Sequence, residues 1–209
     1  MKNISFFILV FGLFFLDCIH NNESKVIDNK ETLKNKEEIQ ILIRKTLNWA
    51  NSNNSFDLLP AIADDKDSLF IGFDFEKIKT NLEVLKSTGL FSSEFIENYN
   101  RIILTLDKKI RNKELNDWQV GELQPFSFAF DINPWCYCQE IPDENPWSRV
   151  EISEINLDNN RGELNWTWAK TDWSDSFLYS FRVTKEDGIW KIDYMQGFDY
   201  EESTKDNGI

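Results

Sequence analysis

Between Val150 and Tyr194 the apolar residues recur with a period of two, and this alternation limits the fold more than any other feature of the chain. Leu164, Trp166 and Trp168 alternate with Glu163, Asn165 and Thr167. Phe177, Tyr179, Phe181 and Val183 alternate with Ser176, Leu178, Ser180, Arg182 and Thr184, and then Trp190, Ile192 and Tyr194 with Lys191 and Asp193. Successive side chains of a strand point to opposite faces, so each run presents one apolar face. Val150 and Ile152 alternate on one phase and Ile155 and Leu157 on the other, which predicts a bulge near Ser153-Glu154. Asp158-Asn159-Asn160-Arg161-Gly162 and Lys185-Glu186-Asp187-Gly188 are turn sequences. The pattern is a β-meander, and it requires Leu164, Trp166, Trp168, Phe181, Trp190 and Ile192 inside.

The residues before Asp117 follow a helical period instead. Ile39, Leu42, Ile43, Thr46, Leu47 and Ala50 form one stripe of a helix over about 35–50. Asp74 is a natural N-cap for a second helix carrying Phe75, Ile78, Leu82 and Leu85, with Gly89 placed to end it in a left-handed turn. Ser92 or Ser93 caps a third, whose stripe is Phe95, Ile96, Tyr99, Ile102, Ile103, Leu106 and Ile110. Lys108, Lys109 and Arg111 suit the negative end of its dipole. Helices first and consecutive strands after them read as one α+β domain over 35–198, with N-terminal helices packed on a bent antiparallel sheet. The acidic end, 199–209, reads as a frayed tail.

The N-terminus reads as an address. Met1-Lys2-Asn3 is followed by an uncharged apolar run from Ile4 to Leu16, too short to span a bilayer and the right length for an export signal over 1–17. Phe15-Leu16-Asp17-Cys18 resembles a bacterial lipobox, with Asp17 where a small residue is usual. That resemblance implies a diacylated Cys18 as the mature N-terminus, and a cell-envelope protein held to the membrane only by its lipid. The alternative is a free periplasmic or secreted protein. Residues 18–34 are polar and without periodicity, and read as a tether.

Charge and composition exclude more than they select. The net charge is −13, and the first 17 residues carry one Lys and one Asp, so their removal leaves it unchanged. Such a chain is a poor non-specific partner for nucleic acid or for anionic membrane surfaces. His20 is the only histidine, which removes most His-based metal sites and triads. No P-loop, nucleophile-elbow or zincin pattern is present, and the sequence implies no metal and no cofactor. Asp64-Asp65-Lys66-Asp67-Ser68 lacks the glycine and distal glutamate of a calcium loop and reads as a solvated turn. Cys136-Tyr137-Cys138 reads as two reduced or buried thiols, with a labile redox pair as the alternative.

Two segments carry a family resemblance. Tyr179 to Val183, the turn, and Gly188 to Tyr194 look like the last hairpin of the nuclear-transport-factor-two-like, or ketosteroid-isomerase-like, cone fold. Asp131-Ile132-Asn133-Pro134-Trp135, then Gln139-Glu140, then Trp147, is similar to the domain of unknown function 3828 family of exported bacterial proteins, with Glu140 at a usual Asp. The resemblance covers about 36–198 and implies a cone fold and an exported location, without a chemistry. The three prolines Pro134, Pro142 and Pro146 make 131–147 an aromatic-anchored loop, with Asp131 and Gln139 expected to bond backbone groups. Asp131, Pro134, Trp135, Gln139, Glu140 and Trp147 are the candidate binding mouth. The reading of function is a non-catalytic, envelope-associated module binding a protein or a small apolar ligand. The alternatives are a cone-fold enzyme with a carboxylate base such as Asp131, or an immunity protein against a basic toxin.

Overall fold

The computed structural model describes residues 16–52, 56–139, 146–158, 160–168 and 178–208. The chain divides into two units, Met1–Glu38 and Ile39–Ile209. Helix α1, Leu16–Ala50, runs through the division. In the first unit it occupies the stretch expected as an irregular tether, so the polar segment is helical. An exposed Lys34–Glu38 ion pair, 3.6 Å apart, lies one turn along it. Extending an existing helix adds one hydrogen bond per residue without a new nucleus, so a polar sequence can continue one.

In the second unit, Ile39, Leu42, Ile43, Thr46, Leu47 and Ala50 are all buried, as the stripe requires. Thr46 is accommodated there because its hydroxyl donates to the Leu42 carbonyl at 3.0 Å. A short hairpin that periodicity did not reveal follows, β1 (Ala61–Ala63) and β2 (Phe70–Phe73). Helix α2, Phe75–Thr88, starts at Asp74, whose carboxylate accepts from the Glu76 and Lys77 amides, and ends at Gly89 with φ 68°. Ile78 and Leu85 are buried and Leu82 half-buried, but Phe75, expected on that stripe, is exposed in the first turn. Helix α3, Ser93–Arg111, is capped by the Ser92 hydroxyl.

The sheet is β3 (Val150–Asp158), β4 (Arg161–Trp168), β5 (Tyr179–Glu186) and β6 (Ile189–Met195), antiparallel in chain order. The predicted bulge is present, as a register shift between Ile152 and Glu154. Leu164, Trp166, Trp168, Phe181, Trp190 and Ile192 are all buried, within one cluster that also holds the α1 and α3 stripes. Burying each side chain of this size stabilises the fold by about 1.5–3 kcal/mol. Both outer strands have partners along part of their edges. Gln40 donates to the Val150 carbonyl at 2.8 Å and accepts from the Ile152 amide at 3.1 Å, while the Arg44 guanidinium reaches the same carbonyl at 2.9 Å. On β6, the Ser92 amide donates to the Ile192 carbonyl and the Ile192 amide to the Leu90 carbonyl. Covered edges do not recruit stray strands.

Two expectations fail here. The second register shift, between Arg182 and Val183, makes Asp193 the extra residue of a bulge on β6. The phase reverses there, so Asp193 and Met195 are buried while Tyr194 turns to the half-exposed face. The acidic end is not frayed either. Helix α4, Tyr200–Ser203, is capped by Asp199, and Ser203 and Thr204 are buried. The Ser127 amide donates to the Lys205 carbonyl at 3.0 Å and the Phe128 amide to Ser203 at 3.1 Å, so the C-terminus is a backbone partner for the otherwise irregular 125–128 stretch.

Candidate functional site

The loop that follows Phe130 is built around Asn133. Its amide donates to the Cys138 carbonyl at 2.9 Å, and its carbonyl accepts from the Tyr137 amide at 2.7 Å. Its side-chain oxygen accepts from the Trp135 amide at 3.0 Å, an Asx turn. Ala129, Asp131 and Tyr137 all take positive φ, at 56°, 51° and 54°, which is uncommon for residues with a β-carbon. Cys136 and Cys138 form a disulfide, correcting the expectation of two reduced thiols. Closing a loop this short removes little chain entropy, about 1.5 kcal/mol against about 3 for a fifteen-residue loop.

This loop turns Trp135 inward and leaves Tyr137 exposed. Trp135 is 5% exposed. Its ring lies 4.5 Å from Phe198, 5.5 Å from Trp49 and 5.6 Å from Phe91, centroid to centroid. The Pro134 carbonyl accepts from the buried Tyr179 hydroxyl at 2.8 Å, and that hydroxyl accepts from the Gly197 amide at 3.1 Å. Burial drives the Tyr179 phenol far above its ordinary range, so it stays a neutral donor. The Trp147 ring packs at a tilt against Trp168, 5.3 Å away centroid to centroid. Pro134, Trp135 and Trp147 therefore seal the core, and the expected mouth is not formed by them. Asp131 is exposed, not in apolar surroundings, and instead of a backbone group its partner is Gln139, which donates to it at 3.3 Å. Glu140 and Pro142 lie outside the described residues, as does the apolar run 4–15.

A concave surface of this unit lies elsewhere, where α3 and the segment after β6 flank the half-exposed side of β6. A groove of about 440 Å³ is lined by Glu94, Glu97, Arg101, Arg182, Tyr194 and Glu201 among others. At its floor Asp193 is buried, its Oδ1 3.6 Å from Arg182 Nε, an ion pair too long for a hydrogen bond. Arg182 also sits 3.8 Å from Glu94 and 4.8 Å above the Tyr194 ring. Arg101 covers the Tyr200 ring at 3.8 Å. Burial raises the Asp193 carboxyl above its ordinary value, and the attraction of Arg182 offsets part of that rise. Burial, and then Asp199, pushes the Tyr194 phenol to about 12. Two further grooves on the outward sheet face, about 540 and 300 Å³, share Arg182 as a wall.

Sequence reasoning missed Arg182, Arg101 and Glu94. The only signal at this site was Asp193 among apolar neighbours, and its partner became visible only with the strand register. No family model matches the chain, and no curated protein or solved structure matches it.

Proposed function

We propose that this protein is an exported, lipid-anchored module that acts by binding a protein partner through its outer surface. The observation that carries this reading is the filled interior. Trp166, Trp168, Tyr179 and Phe181 occupy the inner side of the sheet at 2% exposure or less, so the space a cone-fold enzyme would use for substrate holds side chains. Three grooves among the described residues lie outside, around Arg182. The net charge of −13 favours a basic partner face, through fast and salt-sensitive association.

Membership of the 3828 family and of the cone folds is part of the same proposal, as is acylation at Cys18. The disulfide at Cys136–Cys138 supports an oxidising compartment. The anchor is tested by feeding cells an alkynyl palmitate. Label on the wild type that disappears in Cys18→Ala is the expected result, and label that persists in the variant ends the lipoprotein reading. Binding is tested in the cell envelope by photo-crosslinking from position 163, which lines two of the grooves together with Arg182, with a discrete adduct lost on Arg182→Glu as the expected result.

A second reading rests on one observation. Asp193 is a buried carboxyl with a raised pKa beside a groove, the kind of group that serves as a general base. Its pairing with Arg182 and its burial withhold it from a substrate, which is why binding is preferred.

A further inference from the structure

We propose that Cys136–Cys138 is a thiol–disulfide exchange site, opened by an incoming thiolate that attacks the Cys138 sulfur. The bond spans one intervening residue, so as a cross-link it holds together almost nothing that is distant in the chain. The loop is already closed without it. The Asn133 amide bonds the Cys138 carbonyl, and the Asn133 carbonyl takes the Tyr137 amide, so a hydrogen-bonded ring from Asn133 to Cys138 encloses the disulfide. Trp135 and Pro134 hold the loop to the core independently. A bond this redundant for stability is free to open and close.

The two sulfurs differ in access. Cys136 is fully buried, whereas Cys138 is partly exposed and follows the exposed Tyr137 at the tip of the turn. An attacking group therefore meets Cys138 first. The reduced state is also provided for, because the Cys136 sulfur lies 3.8 Å from the Asn133 carbonyl, which its thiol proton can face. Tyr137 holds a left-handed backbone conformation at the tip, and residues in such sparsely populated regions gather at working sites.

The chemistry balances as two exchanges. A thiolate forms a bond to the Cys138 sulfur while the Cys138–Cys136 bond breaks, and the electron pair leaves on Cys136. The proton lost when the attacking thiol ionised returns to Cys136. A second thiolate of the reductant then attacks the outer sulfur of the mixed disulfide and frees Cys138, which takes the second proton. The reductant becomes a disulfide, and the pair gains two electrons and two protons.

Full-length oxidised protein is incubated, without denaturant, with reduced glutathione alone or with a reduced thioredoxin-type dithiol protein. Free thiols are then alkylated and assigned to sites by mass spectrometry. Opening by glutathione assigns the site to small thiols, and opening only by the dithiol protein assigns it to a protein reductant. If neither opens the bond until denaturant is added, the proposal is wrong. The reduced protein must keep its near-ultraviolet circular dichroism, and loss of that signal on reduction would make the bond a structural staple and overturn the idea. In Cys136→Ser the remaining Cys138 thiolate should exchange with oxidised glutathione, forming the mixed disulfide and releasing one reduced glutathione, at least ~10-fold faster than Cys136 does in Cys138→Ser, as access dictates. Equal or inverted rates would also overturn it.

Discussion

Gly197 presents its bare α-carbon to the Pro134 carbonyl, and a β-carbon at position 197 would overlap that oxygen and the proline backbone behind it. The neighbour is main chain and not a flexible side-chain end, so it cannot yield cheaply. Gly197→Ala should therefore destabilise the domain by at least about 1–3 kcal/mol, the range for overpacking a close contact. Urea denaturation measures this directly. A midpoint equal to wild type would mean that the loop and the turn after β6 are not packed as described.

The Tyr179 hydroxyl joins the same two segments, donating to Pro134 and accepting from Gly197. Tyr179→Phe keeps the ring and removes only the bridge, leaving a carbonyl and an amide without their partner. We expect a loss of about 1–3 kcal/mol, again by urea denaturation. A loss near zero would show that another donor replaces it.

The helices and the phase of the meander were legible because their signals are local. Asp74, Gly89 and Ser92 cap their helices through atoms one turn away, and the Leu164-Trp166-Trp168 alternation needs only the pleat. The groove was not legible because it depends on register. Nothing within Ile192-Asp193-Tyr194 says that Asp193 is an extra residue; the pairing of Arg182 with Tyr194 and of Val183 with Ile192 decides it. The C-terminus was misread for a related reason. Its partners, Ser127 and Phe128, lie in a stretch with no period, and its acidic composition hid the backbone bonds that hold it.

Asp131 and Gln139 illustrate the difference between a motif and a structural bond. Sequence reasoning makes both backbone acceptors or donors inside an ordered loop, where each would be worth about 1–3 kcal/mol. In the structure they meet each other at 3.3 Å on the exposed side of the loop. Asp131→Asn and Gln139→Ala should each shift stability by less than about 0.5 kcal/mol, as surface substitutions do. A larger loss in thermal or urea melts would restore the structural role. Unchanged stability with a loss of crosslinking to the partner would make this exposed pair part of the binding surface.

Asp193 gives the chain a pH dependence of definite sign. Burial raises its folded-state pKa, with Arg182 opposing the rise, Glu94 adding to it and Arg161 opposing it. The native state therefore holds this proton at pH values where the unfolded chain has released it. Stability from this group is complete below its ordinary value of 3.8 and is lost as pH rises through the folded pKa. Asp193→Asn removes that dependence but also deprives Arg182 of its counter-charge, so the offset between variant and wild type at any single pH is ambiguous. Its slope is not. The stability of Asp193→Asn relative to wild type should rise from just below pH 4 and level off once the pH passes the folded-state pKa, measured by urea denaturation from about pH 3 upward. A flat difference would mean that the carboxyl titrates alike in both states. A falling one would mean that the ion pair with Arg182 outweighs burial, so that Asp193 stands ready as a carboxylate in the groove.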